Sequence, residues 1–304
     1  MDSSADGPKL GTWAMPYVAI LRHDLGTLWA SWLVRLWLAG TVVLTFALVA
    51  SNWATFRDGT LVASLLFPYL VFPWFFVVVV LGISPVSGSR SGELADAILS
   101  RPVSRWQYLL ATWSARVAVV WGVYLVVIIP AIALVVLARR PVPTDTVTVY
   151  GIVSSLFLVG LVQTFLVSLG FLMGTLLQRP LLAVVVLVFL WYPIGLILSV
   201  FSLEEFSPVS LSQAISTQLR RAWRQAADSE PSTDRQEMQT FTKQVDHFFN
   251  VLSGAKSEPK AATPEFFEAG EFEDFSVVRV ASGYALPSVV AVVFAGLCFC
   301  WRDL

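Results

Sequence analysis

Few side chains in this sequence are of the types that catalyse reactions or bind metal ions. The histidines are His23 and His247, and the two cysteines, Cys298 and Cys300, share one apolar run. A zinc site needs about four converging ligands, and a zinc or serine protease within the membrane needs a histidine inside a membrane-spanning stretch. The chain offers neither arrangement, so we predict no catalytic site, no metal site and no disulfide framework.

The chain also lacks a P-loop for binding nucleotide phosphates. The nearest stretch, Gly254-Ala255-Lys256-Ser257, lacks the other glycine of that motif and lies in a predicted linker. We therefore predict no cofactor on this chain, and any ATP hydrolysis would have to come from a partner. The net charge of −1 gives no basic field that would attract nucleic acid.

Composition indicates that lipid is the solvent for much of the chain. Of the 304 residues, 56% are hydrophobic and 13% are charged, and the mean hydropathy is +0.72. A soluble domain averages about 25% charged residues. We predict an all-α, multi-pass protein of a cell membrane, either a bacterial-type inner membrane or a plasma membrane.

Six stretches without acidic or basic residues are long enough to cross the membrane, since a spanning helix needs about 20 apolar residues. Six transmembrane helices place both termini on one side. The cations on the side of the termini, Arg116 among them, outnumber those in the short loops opposite and favour the terminal side as the cytoplasm. The predicted helix cores are 36–53, 61–82, 112–137, 150–176, 181–200 and 284–301.

The rest of the pattern divides the chain into four regions. An amphipathic helix over 13–35 is expected to lie in the membrane interface, and prolines such as Pro73 are expected to kink their helices. In order, the regions are a cytoplasmic N-terminus with the interfacial helix (1–35), transmembrane helices one to five (36–203) with a cytoplasmic loop at 83–111, a small helical extracytoplasmic insertion (204–279), and the sixth transmembrane helix with the cytoplasmic C-terminus (280–304).

The loop after the second span has the features of a short, stiff helix. Glu93 lies in its first turn, where a carboxylate suits the helix dipole, and Pro102 ends it. Ser104 then starts the next helix, with Gln107 placed to complete a capping box. The apolar face of the short helix is formed by Leu94, Ala97 and Ile98.

Small and polar residues follow one face of the fourth predicted span. Such residues in a membrane helix usually mark close packing against another helix, and a substrate path is the alternative. Gln163 is the only glutamine within the predicted helix cores. The candidate residues for either role are Gly160, Gln163, Thr164 and Gly174.

The run Leu99-Ser100-Arg101-Pro102-Val103-Ser104-Arg105, with Glu93 upstream, resembles the ABC type 2 permease family. That family supplies the membrane subunits of one class of ATP-binding-cassette transporters. The ending Trp301-Arg302-Asp303-Leu304 and the six-span layout are similar to it as well. The region between the fifth and sixth spans is longer here than is usual in the family, which leaves the role of 204–279 open.

The resemblance implies the permease subunit of an ATP-driven transporter, an exporter. Two permease subunits, identical or different, would pair in the lipid membrane with two separate ATPase subunits that bind ATP and Mg. The short helix would be the coupling helix, lying in a groove of the ATPase. The coupling residues implied are Glu93, Leu94, Ala97, Ile98, Arg101, Pro102 and Arg105. No residue specifies the substrate.

Two other functions stay open at the level of the sequence. A non-transporting membrane scaffold or anchor would have the same span pattern. A secondary transporter would need acidic or histidine side chains within its spans to carry ions or protons. The predicted helix cores contain no such side chain, which disfavours the secondary transporter.

Overall fold

The protein is built from helices. A computed structural model describes residues 10–71, 73–83, 104–138, 140–141, 147–177, 179–189, 211, 215, 219 and 277–301. Throughout these ranges the regular structure is helical, without a strand, which confirms the predicted all-α class. The helices are α1 (Leu10–Ala30), α2 (Trp32–Asn52), α3 (Asp58–Leu70), α4 (Trp74–Ile83), α5 (Arg105–Leu137), α6 (Val149–Leu176), α7 (Pro180–Phe189) and α8 (Val277–Trp301).

Five helical segments are long and apolar enough to cross a membrane, by length and composition. They correspond to the predicted spans one to four and six, and α3 and α4 together form the second span. The predicted fifth span, 181–200, begins in α7, which is described as far as Phe189. A multi-pass membrane protein is therefore supported, and the count of six spans remains a prediction. The segments are Trp32–Asn52, Asp58–Ile83, Arg105–Leu137, Val149–Leu176 and Val277–Trp301.

The predicted interfacial helix, 13–35, is divided at Ser31. The backbone of Ser31 is extended, with φ −66° and ψ 139°, and its side chain caps α2 by accepting a hydrogen bond from the Val34 N–H at 3.4 Å. The same hydroxyl donates to the Leu28 carbonyl at the end of α1 (2.7 Å). Serine favours this role because its short side chain reaches the unpaired N–H groups of a helix start. The first span therefore begins as a separate helix at Trp32.

The second span is broken in the middle of its length. Helix α3 ends at Leu70, and Val71 leaves the helical conformation with φ −117° and ψ −106°. Pro73 has no N–H to continue the hydrogen-bond ladder, and α4 starts at the next residue. Pro68, Pro130 and Pro287, by contrast, each lie inside a helix.

Helices α5 and α6 form the centre of the bundle. Helix α5 contacts α1, α2, α3, α4, α6 and α8, and α6 also contacts α3, α4 and α8. The outer faces of α2 and α8 expose large apolar side chains such as Phe46 and Phe294. An apolar exposed surface of this kind suits contact with lipid tails.

The start of α6 is joined to the predicted insertion. The Leu219 carbonyl accepts hydrogen bonds from the Thr148 N–H (3.0 Å) and the Thr148 hydroxyl (3.2 Å). Gly151 allows this approach, because a side chain there would overlap the Leu219 backbone. Leu211, Ile215 and Leu219, which are four residues apart as on one face of a helix, are buried. The remainder of the insertion as far as residue 276 lies outside the described residues.

A buried arginine joins two loops at the end of the bundle that is predicted to face outward. Arg140 pairs with the Asp58 carboxylate at the start of α3, with its side chain 3% exposed. Its guanidinium also donates to the carbonyls of Trp53 (3.1 Å) and Phe56 (3.0 Å) and lies over the Trp53 ring. One side chain thus fixes the turn between α2 and α3 against the end of α5.

We expect Arg140→Met to lower the free energy of unfolding by about 3 kcal/mol, because the change removes the ion-pair partner of Asp58 and the side chain that donates to the Trp53 and Phe56 carbonyls. Thermal unfolding of the purified protein in detergent measures this. Arg22→Met, at an exposed arginine of α1, is the control and should change stability by less than about 0.5 kcal/mol. Equal melting of Arg140→Met and the wild type would contradict the structural role of Arg140.

Candidate functional site

The candidate site surrounds the segment that joins α4 to α5. Six of the seven coupling residues implied by the sequence lie in this segment and outside the described residues: Glu93, Leu94, Ala97, Ile98, Arg101 and Pro102. The seventh, Arg105, is described. The structure therefore shows how the two flanks of the segment, Ile83 and Ser104, are held.

The downstream flank is fixed by a capping box, as predicted. The Ser104 hydroxyl accepts from the Gln107 N–H at 3.2 Å, and the Gln107 Oε1 accepts from the Ser104 N–H at 3.1 Å. The two bonds satisfy backbone groups that a helix start otherwise leaves unpaired. Helix α5 therefore begins at a defined residue.

Arg105 ties the start of α5 to the end of α8. Its Nη1 donates to the Cys300 carbonyl at 3.2 Å, where a cation also complements the negative end of the helix dipole. One turn later, the rings of Tyr108 and Phe299 stack with centroids 6.4 Å apart. Arg105 is thus in contact with α8, and a contact between Arg105 and another chain remains an expectation.

The upstream flank is held by Arg116 of α5, which is 6% exposed. Its Nε donates to the Leu81 carbonyl (3.1 Å) in the last turn of α4, and its Nη1 donates to the Thr112 carbonyl (2.6 Å). Carbonyls in the last turn of a helix lack partners within that helix. Arg116 thus fixes the end of α4, the point from which the chain leaves the second span.

Helix α1 joins the same group of side chains. The Thr112 hydroxyl donates to Asp24 Oδ2 at 2.9 Å, and the Asp24 carboxylate attracts the Arg116 guanidinium electrostatically. The Tyr17 hydroxyl donates to the Ser114 hydroxyl at 2.8 Å on the neighbouring face of α5. We call Asp24, Thr112, Arg116 and the Leu81 carbonyl the Arg116 cluster. It connects α1, α4 and α5.

The sequence analysis counted Arg116 only as a cation of the cytoplasmic side and gave it no further role. The signal for its role was available, because a lone arginine near the start of a long apolar helix must find acceptors inside the protein. Within the described part of the chain, no group of three or more histidine, cysteine or acidic residues could hold a metal ion. What the described contacts of the Arg116 cluster show is a set of hydrogen bonds that joins α1, α4 and α5.

Two members of the α6 stripe, Gly160 and Thr164, contact Trp121 of α5. A side chain at Gly160 would overlap the Trp121 ring, and the indole Nε1 donates to the Thr164 hydroxyl at 3.0 Å. Trp113 repeats the arrangement by donating to the Ser168 hydroxyl at 3.1 Å. These residues join α5 to α6 by packing and hydrogen bonds, and the sequence analysis missed the pair Trp113 and Ser168.

The third member, Gly174, lies at a close approach of α6 to α4. A Cβ at Gly174 would lie 2.7 Å from the Ile83 carbonyl oxygen, and one at Gly170 would lie 2.8 Å from the Val79 carbonyl oxygen. Gly82 of α4 faces the same contact, with its would-be Cβ 3.1 Å from the Gly170 Cα. Small residues four apart allow two membrane helices to touch along their backbones. The arrangement attaches α6 to the last turns of α4.

The fourth member, Gln163, differs from the other three. It is fully buried, and neither its Nε2 nor its Oε1 has a hydrogen-bond partner within the described residues. Packing alone does not explain an amide at this position, because a buried polar group without a partner is destabilising.

We expect Gly174→Ala to lower the unfolding temperature, because the added methyl group pushes α6 away from the Ile83 carbonyl, at a cost of about 1–3 kcal/mol. The matched control is Gly26→Ala on α1, where a Cβ meets nothing within 4 Å. The control should raise stability by up to about 1 kcal/mol, as alanine does at an exposed helix position. Shifts of the same sign in both variants would contradict the close packing of α4 on α6.

Comparison with protein-family models found no match to this chain, and comparison with curated proteins found none either. The function is therefore argued from the geometry and from the sequence. The geometry consists of two fixed flanks, held by the Arg116 cluster and by the Ser104 capping box, on either side of the segment 84–103.

Proposed function

We propose that this chain is the permease subunit of an ATP-driven exporter of the ABC type 2 kind. The observation that carries the proposal is the Arg116 contact with the Leu81 carbonyl (3.1 Å), which fixes the second span at the point where the segment 84–103 begins. That segment has the sequence of a short, proline-terminated helix and resembles the coupling region of the family.

The contacts at the two flanks suit the transmission of a force. A push on the segment 84–103 would act on α4 at one end and on α5 at the other. The Arg116 cluster would pass it to α1, and the contact between Arg105 and the Cys300 carbonyl would pass it to α8. The close contact of Gly174 with Ile83 would pass it to α6. Most of the described bundle would thus move with one segment.

The partners proposed follow from the same reasoning. ATP and Mg would be bound by a separate ATPase, whose groove would receive Glu93, Leu94, Ala97, Ile98 and Arg101, with Arg105 at the edge. A second permease subunit would complete the path, and both termini would lie in the cytoplasm. The cargo would pass between the two permease subunits or be taken from the lipid.

The test is to purify the chain with the ATPase that accompanies it and to measure ATP hydrolysis in liposomes. Arg116→Met should keep the ATPase bound and lower its stimulation by about tenfold, since coupling between sites typically amounts to 1–3 kcal/mol. Thr112→Val, which removes the hydroxyl bonded to Asp24 and keeps the carbonyl bonded to Arg116, should have a smaller effect in the same direction. Arg22→Met is the exposed control and should behave as the wild type.

Two results would overturn the proposal. The first is purification of the intact protein without any ATPase. The second is an ATPase that binds but is not stimulated by the wild-type chain, which is the behaviour expected of a scaffold or anchor. Full stimulation by a folded Arg116→Met variant would reject the route through the Arg116 cluster while leaving the permease proposal in place.

A further inference from the structure

Gln163 has an unmet requirement for hydrogen bonds. Its amide offers a donor and an acceptor, it is fully buried, and both atoms are unpartnered within the part of the chain that the structure describes. Nearly all buried polar side chains in proteins are bonded to protein or to ordered water. The neighbouring hydroxyl, Thr164, is already bonded to Trp121 and to the Gly160 carbonyl.

The face of α6 that carries Gln163 packs against the second span. Val167, Gly170 and Gly174 follow Gln163 at steps of four, three and four, which keeps them on one side of the helix. Gly82 of α4 lies against the Val167 carbonyl and the Gly170 backbone. Gln163 lies on the same face of α6, one turn closer than Val167 to the predicted outer end of the helix.

The register of α4 and α6 gives the depth of Gln163. The Val79 carbonyl meets Gly170 and the Ile83 carbonyl meets Gly174, so the two helices run in the same direction and in step. Both helices rise by about 1.5 Å per residue. Gln163 lies seven residues before Gly170, and seven residues before Val79 the second span is at position 72. Gln163 is therefore level with the break between Val71 and Pro73.

The break has a hydrogen-bonding requirement of its own. The Val71 N–H is bonded to the Phe67 carbonyl at 3.2 Å, but Pro73 has no N–H to donate to the Tyr69 carbonyl. Backbone groups freed by a proline inside a membrane need a side chain or an ordered water as partner. The unpartnered Gln163 amide and the Tyr69 carbonyl therefore lie within about one helical turn of the same depth, on two helices that are in contact.

We propose that Gln163 and the break in the second span enclose a hydration site. Bound water would accept from the Gln163 Nε2, donate to its Oε1 and donate to the Tyr69 carbonyl. A neutral occupant suits two uncharged groups, and it would have to be small because Gln163 is completely enclosed. A hydrated break bends more easily than a continuous helix, so α4 would tilt against α3 at this point. The inference does not rest on the proposed function.

The test is X-ray hydroxyl-radical footprinting of the protein in lipid nanodiscs, which oxidises buried side chains only where enclosed water supplies the radicals. In the wild type we expect oxidation of Tyr69 and Phe75, which are 1% and 8% exposed, and none of Phe171, which is 1% exposed two turns beyond Gln163. Gln163→Met, similar in shape but without the amide, should abolish the oxidation of Tyr69 and lower the unfolding temperature. Gln163→Asn should retain part of the oxidation.

Absence of Tyr69 oxidation in the wild type would overturn the proposal, whether or not the variants fold. Oxidation that persists in a folded Gln163→Met variant would do the same. A higher unfolding temperature for Gln163→Met would show that the amide is unpartnered and unhydrated. The occupant would be a monovalent cation if replacing Na⁺ by N-methylglucamine abolished Tyr69 oxidation and lowered the unfolding temperature. That result would also contradict a hydration site.

Discussion

A guanidinium group inside an apolar helix bundle must be surrounded by hydrogen-bond acceptors, and Arg116 meets this requirement mainly with main-chain carbonyls. Its bonds to Leu81 and Thr112 join the end of α4 to the first third of α5. Asp24 brings α1 and a compensating charge to the same place. Because an unpaired buried charge is strongly unfavourable, these three helices hold their relative positions or the bundle loses stability.

Arg140 joins separate segments through hydrogen bonds at one end of the bundle, as Arg116 does at the other end. The side chain of each arginine is buried and bonds two main-chain carbonyls, of which at least one lies beside the end of a helix. The two arginines are 24 positions apart in the sequence. Between them α5 packs on α6 where the Trp121 ring lies against Gly160 and its indole donates to the Thr164 hydroxyl. The break at 71–73 lies between the two fixed ends. Any displacement of α4 relative to α3 would therefore be concentrated there.

The sequence predicts the features that depend on local pattern or on the lipid environment. The fourth span was predicted at 150–176 and is Val149–Leu176, because a membrane-spanning helix has to be apolar along its whole length. The capping box of Ser104 and Gln107 was likewise readable, since both partners lie within one turn. The division of the N-terminal helix at Ser31 was missed, because apolar spacing continues through it.

The partners of the buried arginines were not predictable from the sequence. The bond between Arg116 and Leu81 joins positions 35 apart, and that between Arg140 and Asp58 joins positions 82 apart. Spin labels at Val18 of α1 and Phe76 of α4, both exposed, test the central joint in a chain with Cys298 and Cys300 changed to serine. Our account predicts a narrow distribution of distances between the two labels. ATP and the ATPase should leave this distribution unchanged, and Arg116→Met should broaden it. A wild-type distance that changes with ATP, or that Arg116→Met does not affect, would contradict it.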